Sequence, residues 1–195
     1  KIPTFVLGVG LGGLIILNLL EKTELPIEGI LLFSPMLELK RDYKGRKNKL
    51  ISNVGKISKD TRFKVGITPQ DLTRNDEIIE ETANDGLMLK KVTYSWYNLI
   101  NEKMKETMDH IRDIKPISAL IMYGTKDKIL ETQSINEMKD KLKSKEMYFK
   151  VWDGLYHEIH NEPERDLVMR YVLSFLNNSV NTMGFIVNEE EIEDI

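Results

Sequence analysis

The sequence predicts an α/β fold built on a mostly parallel sheet, and three observations carry the prediction. Short apolar runs alternate along the chain with longer runs of helical period, the rhythm of strand and helix that builds parallel sheets. The strand candidates are continuously apolar, as in a sheet covered on both faces. The first of them runs straight into a glycine-rich turn and then an apolar helix, V-L-G-V-G-L-G-G-L-I-I-L.

Residues 4–7 form the first β-type run, which ends at Gly8. Residues 11–20 follow with Leu and Ile on nearly every face, which predicts a helix buried on most sides. E-G-I-L-L-F-S-P, residues 28–35, is the second strand. S-A-L-I-M-Y, residues 118–123, is the next and ends at Gly124, and Y-F-K-V-W, residues 148–152, ends at Asp153-Gly154. Helical patterns cover residues 131–142 and 164–175. Residues 39–111 break the rhythm, beginning polar and then carrying helical patterns such as VTYSWYNLINEKMKETMDHIRDI. An insertion of this length between two strands predicts a lid or small helical subdomain beside a binding site. Two segments, 1–38 and 112–177, then form the core, and 178–195 is an aperiodic acidic tail expected to be mobile.

With 195 residues, 41% of them hydrophobic and 30% charged, the chain has the composition of a single globular domain. A net charge of -3, with acids accompanying the lysines throughout, gives no footprint for nucleic acid. The absence of cysteine excludes disulfides, thiolate catalysis and cysteine zinc sites. The charge-free run 5–20 is shorter than the roughly 20 residues a bilayer requires, and no cleavage site follows it. The expected location is cytoplasmic. The chain opens at Lys1 directly on an apolar strand, which suggests a piece of something longer.

Gly8, Gly10 and Gly13 match G-x-G-x-x-G, the spacing that cradles a dinucleotide pyrophosphate. That reading needs an acid at the end of the next strand to hold the ribose. The next strand ends Phe33-Ser34-Pro35, and Glu38 lies beyond the proline. The other reading is a nucleophile elbow, G-x-S-x-G, with Gly10 in the serine's place and small residues, Gly8 and Gly12, where backbone meets backbone. It predicts an acid after a later strand and a histidine after the final one. Asp127 follows strand 118–123 in G-T-K-D-K-I, and His157 follows strand 148–152 in G-L-Y-H-E. Both fall at the carboxyl edge of the sheet, where open α/β folds gather functional groups. A carboxylate there accepts from one imidazole nitrogen and leaves the other to act on a hydroxyl. The elbow reading is the one the sequence supports, and no cofactor is expected.

The other candidates carry less. His157 and His160 form H-x-x-H, but without a third ligand nearby this is a poor metal site; His160 is read as packing or capping the last helix. His110, in a charged helix, is read as solvated. Ser34, at a strand end before proline, is a weak substitute nucleophile. Tyr94, Trp96, Tyr97 and Met104 fall on one insertion helix, either as packing or as an acyl-chain wall.

V-L-G-V-G-L-G-G, S-P-M, L-T-R-N-D-E, G-T-K-D-K-I and G-L-Y-H-E-I-H-N-E together resemble the monoacylglycerol lipase and lysophospholipase group of α/β-hydrolases. The resemblance covers most of the chain to about residue 176. It implies an α/β-hydrolase fold with helices on both sheet faces, and a lid over 39–111 that shapes an acyl pocket and offers peripheral membrane contact. It further implies that Asp127 and His157 are the catalytic acid and histidine, that Gly10 stands at the nucleophile, and that the Leu11 amide is one arm of the oxyanion hole. Two departures matter. Gly10 has no hydroxyl, whether natural or engineered, and the family's first strands are absent, so an upstream segment is needed to complete the sheet. The expected partner is a small lipid or ester, and the expected function is an ester-hydrolase scaffold inactive through Gly10. The alternative is a non-catalytic lipid- or partner-binding protein on the same fold.

Overall fold

The computed structural model describes residues 2–40 and 60–182. Four parallel strands, β1 (Phe5–Val9), β2 (Gly29–Phe33), β5 (Ser118–Gly124) and β6 (Met147–Trp152), pair in the order β1-β2-β5-β6. Their registers align Val9 with Phe33 and Phe33 with Met122, so β1, β2 and β5 bring their carboxyl ends to one edge. Period-two alternation sends β2 side chains both ways. Ile30 and Leu32 pack with Leu14 and Leu17 of helix α1 (Leu11–Leu20) and Ile135 and Met138 of α5 (Gln133–Lys141). Leu31 and Phe33 pack with Val168 and Phe175 of α6 (Arg165–Thr182) on the other face. Both faces are therefore covered, which is why the strands read as unbroken apolar runs.

Between β2 and β5 lies the insertion. Its described part holds a two-stranded antiparallel sheet of β3 (Arg62–Lys64) and β4 (Lys91–Thr93) and three helices, α2 (Pro69–Leu72), α3 (Asp76–Asn84) and α4 (Tyr94–His110). Thr68 and Asp71 form a capping box at α2 and Asn75 caps α3, satisfying otherwise unpaired N–H groups. Helix α4 lies against α1, burying Met104 and Thr107, with Asn18 Nδ2 donating to Thr107 Oγ1 at 3.2 Å.

Several expectations change in detail. β1 continues through Gly8 to Val9, because the ladder with β2 persists to the turn. Helix α6 runs on to Thr182, past residue 177 where periodicity was expected to end. Residues 41–59, the polar start of the insertion, and 183–195 of the tail lie outside the described residues.

Candidate active site

The turn from β1 into α1 is set by Gly10, which adopts φ 51° and ψ -114°. Residues with a Cβ rarely occupy positive φ, and holding one there stores strain. Gly10 N–H donates to Phe33 O at 2.9 Å and Gly10 O accepts from Met36 N–H at 2.9 Å, tying the turn to the end of β2. The small residues the turn requires are Gly8 and Gly13, not Gly8 and Gly12 as expected. A Cβ on Gly8 would lie 2.7 Å from the Gly12 carbonyl carbon, and one on Gly13 would lie 2.8 Å from Pro35 Cβ. A Cβ on Gly12 would meet nothing within 4 Å.

The structure brings Gly10, Asp127 and His157 together. Asp127, fully buried, follows β5; its Oδ1 accepts the Ile129 and Leu130 N–H groups at 2.8 and 2.9 Å. Its Oδ2 lies 2.8 Å from His157 Nδ1. Two backbone donors on one oxygen fix the carboxylate and leave the other to orient the imidazole. The opposite ring nitrogen faces the elbow, since a Cβ on Gly10 would lie 3.0 Å from His157 Nε2. Leu11 is the first residue of α1, where the N–H has no acceptor within the helix. Ser34 is placed differently from a nucleophile. It is buried, with φ 43°, and its hydroxyl donates to the His157 carbonyl at 2.8 Å.

Sequence reasoning missed a set of contacts around the His157 loop. Glu162, fully buried, accepts the Tyr156 N–H on Oε1 at 2.6 Å and Arg74 Nε on Oε2 at 2.9 Å. Arg74 also pairs with Glu164; that hydrogen bond raises the guanidinium pKa further and lowers that of the Glu164 carboxyl. The motifs holding these residues, L-T-R-N-D-E and H-N-E, are visible in the sequence, but 88 residues separate Arg74 from Glu162 and no spacing rule pairs them. His160 packs against Phe33 with ring centroids 6.1 Å apart, and burial lowers its pKa. His110 is exposed and pairs with Asp113, as its charged helix implied. Of the insertion residues singled out, Met104 is core, and Tyr97 packs edge-on to Phe63 at 5.4 Å. Among the described residues no three His, Asp or Glu side chains are grouped to hold a metal ion, and no helix is long and apolar enough to cross a membrane.

The family described as Hydrolase_4, serine aminopeptidase S33, matches residues 1–164. The chain belongs to it. The phospholipase YtpA of Bacillus subtilis (strain 168) is 28% identical over 180 residues, covering 92% of this chain and 70% of that protein. The crystal structure of the Paleococcus ferrophilus monoacylglycerol lipase superposes with TM-score 0.80 at 22% identity, over 91% of this chain and 69% of that one. A soluble variant of the Saccharomyces cerevisiae monoglyceride lipase, in complex with a substrate analogue, gives 0.80 at 19% identity, over 92% and 63%. The fold is thus that of an α/β-hydrolase.

Proposed function

We propose that this chain carries the acid, the histidine and the elbow of a serine ester hydrolase for monoacylglycerols, lysophospholipids or other small carboxylic esters. Gly10 stands where the nucleophile belongs. One observation carries the reading: the two nitrogens of His157 face opposite ways, Nδ1 at 2.8 Å from Asp127 Oδ2 and Nε2 toward the elbow, where a Cβ added to Gly10 would lie 3.0 Å from it. A serine hydroxyl at this turn would come within reach of Nε2 after a shift of a few tenths of an ångström. His157 would take its proton during attack on the ester carbonyl and return it to the leaving alcohol. Asp127 would hold the tautomer and stabilise the imidazolium, and the Leu11 N–H would donate to the developing oxyanion. With glycine the acyl-enzyme cannot form, and only binding and oxyanion stabilisation remain, worth roughly 10³ to 10⁴ over water in such triads. The relatives' names support a lipid ester as substrate, and residues 39–111 are the proposed lid over its acyl chain.

The test is hydrolysis of a short-chain chromogenic ester by the complete protein with Gly and with Ser at position 10. Turnover by the Ser form, abolished by adding His157→Ala, is the expected result; a folded Ser form inert toward every ester sinks the reading. The missing hydroxyl supports a second reading, a binding protein on the hydrolase fold, which predicts saturable fatty-acid or lysolipid binding without turnover.

A further inference from the structure

The chain segment that leaves α2 and enters α3 is stitched to the histidine loop just after His157. Glu158 N–H donates to Leu72 O at 2.8 Å, and Thr73 Oγ1 donates to Asn161 O at 2.9 Å. Arg74 donates to Glu162 Oε2 twice, from its backbone N–H at 3.2 Å and from Nε at 2.9 Å. Glu162 Oε1 closes the ring by accepting the N–H of Tyr156, the residue immediately before His157. One carboxylate therefore spans two segments, and the residues it and its neighbours hold, 156, 158, 161 and 162, bracket the imidazole. Thr73 is 1% exposed and Glu162 not at all.

Stability alone is a poor account of this arrangement. The Arg74 side chain is 34% exposed, so a buried carboxylate is matched with a cation that keeps much of its water, and such pairs return little net stability. Position is the better account. The His157 main chain is held from the end of β2 through Ser34, and the main chain just after it, at Glu158 and Asn161, is held from the insertion through Leu72 and Thr73, while Asp127 fixes only the ring.

We propose that Arg74 and Glu162 are positioning residues, which set His157 against Asp127 and make that alignment depend on the insertion's base being seated. Neither touches the reacting atoms. The inference rests on the reading of Asp127 and His157 as a working dyad, and the test separates the two.

The test uses the complete protein with Gly10 in place and proton NMR of the low-field imidazole Nδ1–H in the His157–Asp127 hydrogen bond, assigned by its loss in His157→Gln. The expected result is a sharp resonance in the parent, with broadening or loss in Glu162→Gln and in Arg74→Lys. Glutamine keeps one acceptor oxygen for three N–H donors, and lysine keeps the charge but loses the fork. Arg74→Lys also leaves both backbone N–H groups on the carboxylate, so it serves where Glu162→Gln does not fold. In a Gly10→Ser background the same substitutions are expected to lower kcat about tenfold to a hundredfold with KM unchanged, the scale of an ångström's misplacement. A parent without the resonance refutes the dyad itself. A parent with it, and folded variants whose resonance and kcat match the parent's, refute the positioning role alone.

Discussion

Replacing Gly10 separates what the turn costs from what a hydroxyl adds. At φ 51° and ψ -114° any side chain is strained, at about 1–3 kcal/mol for a residue held in such a region. The new Cβ also presses on His157 Nε2 at 3.0 Å, tighter than ordinary van der Waals contact, so the ring must yield slightly. At a glycine in an ordinary helical conformation, alanine would instead stabilise by about 0.4–1 kcal/mol. The two cases differ in sign. Gly10→Ala and Gly10→Ser are therefore both expected to lower stability by about 1–3 kcal/mol, or about 2 to 12 °C in Tm for a domain of this size. Only Gly10→Ser is expected to hydrolyse an ester. The assay is urea unfolding of the complete protein alongside initial rates on a short-chain chromogenic ester. Neutral or increased stability in Gly10→Ala would refute the strained turn, and equal ester turnover in the two variants would refute the assignment of the hydroxyl's role.

Three further outcomes are expected. Gly12→Ala is neutral or stabilising by up to about 1 kcal/mol, whereas Gly13→Ala, driven against Pro35, is destabilising by about 1–3 kcal/mol; equal urea midpoints would contradict the packing of the turn. Ser34→Ala leaves the His157 carbonyl without its buried donor and costs about 1–3 kcal/mol, while Ser34→Gly, which also relieves φ 43°, costs less. Burial holds the His160 pKa below its usual 6.5, so on acidification the unfolded chain takes up that proton first. The stability His160 allows is present above about pH 6.5 and is lost as pH falls toward its folded value. Unfolding at pH 7.5 and 5.5 is expected to show a smaller drop for His160→Phe than for the parent. Comparison with the parent matters because Glu21, with a pKa raised by burial, acts in the opposite direction.

The sheet was legible because its signal is local: each strand is a continuous apolar run ended by a turn residue, and each helix carries its own period. The placement of Asp127 and His157 was legible too, because parallel topology sends every strand's carboxyl end to one edge. What failed was contact between segments distant in sequence. The sequence shows that glycine recurs after β1, but not which glycine meets Pro35, so the demand fell on Gly12 where the packing needs Gly13. Glu162 was legible only as the last letter of G-L-Y-H-E-I-H-N-E, since nothing local says that Arg74 and the Tyr156 amide enclose it. Ser34 was noticed as a hydroxyl near the site. Its role as a donor to the His157 carbonyl depends on a backbone angle that no propensity rule predicts for serine before proline.

The positive φ at Gly10 gives evolution an asymmetric choice at this position. Glycine and serine codons can differ by a single nucleotide, so one substitution moves the chain between a relaxed turn and a strained one. The surrounding apparatus, the buried carboxylate and its imidazole, stays assembled on separate strands either way. Selection for robustness alone favours glycine here, and only selection for chemistry holds a serine against that pull. On the proposed reading, a lineage carrying this fold would lose the reaction while gaining stability, with the carboxylate and imidazole still in place.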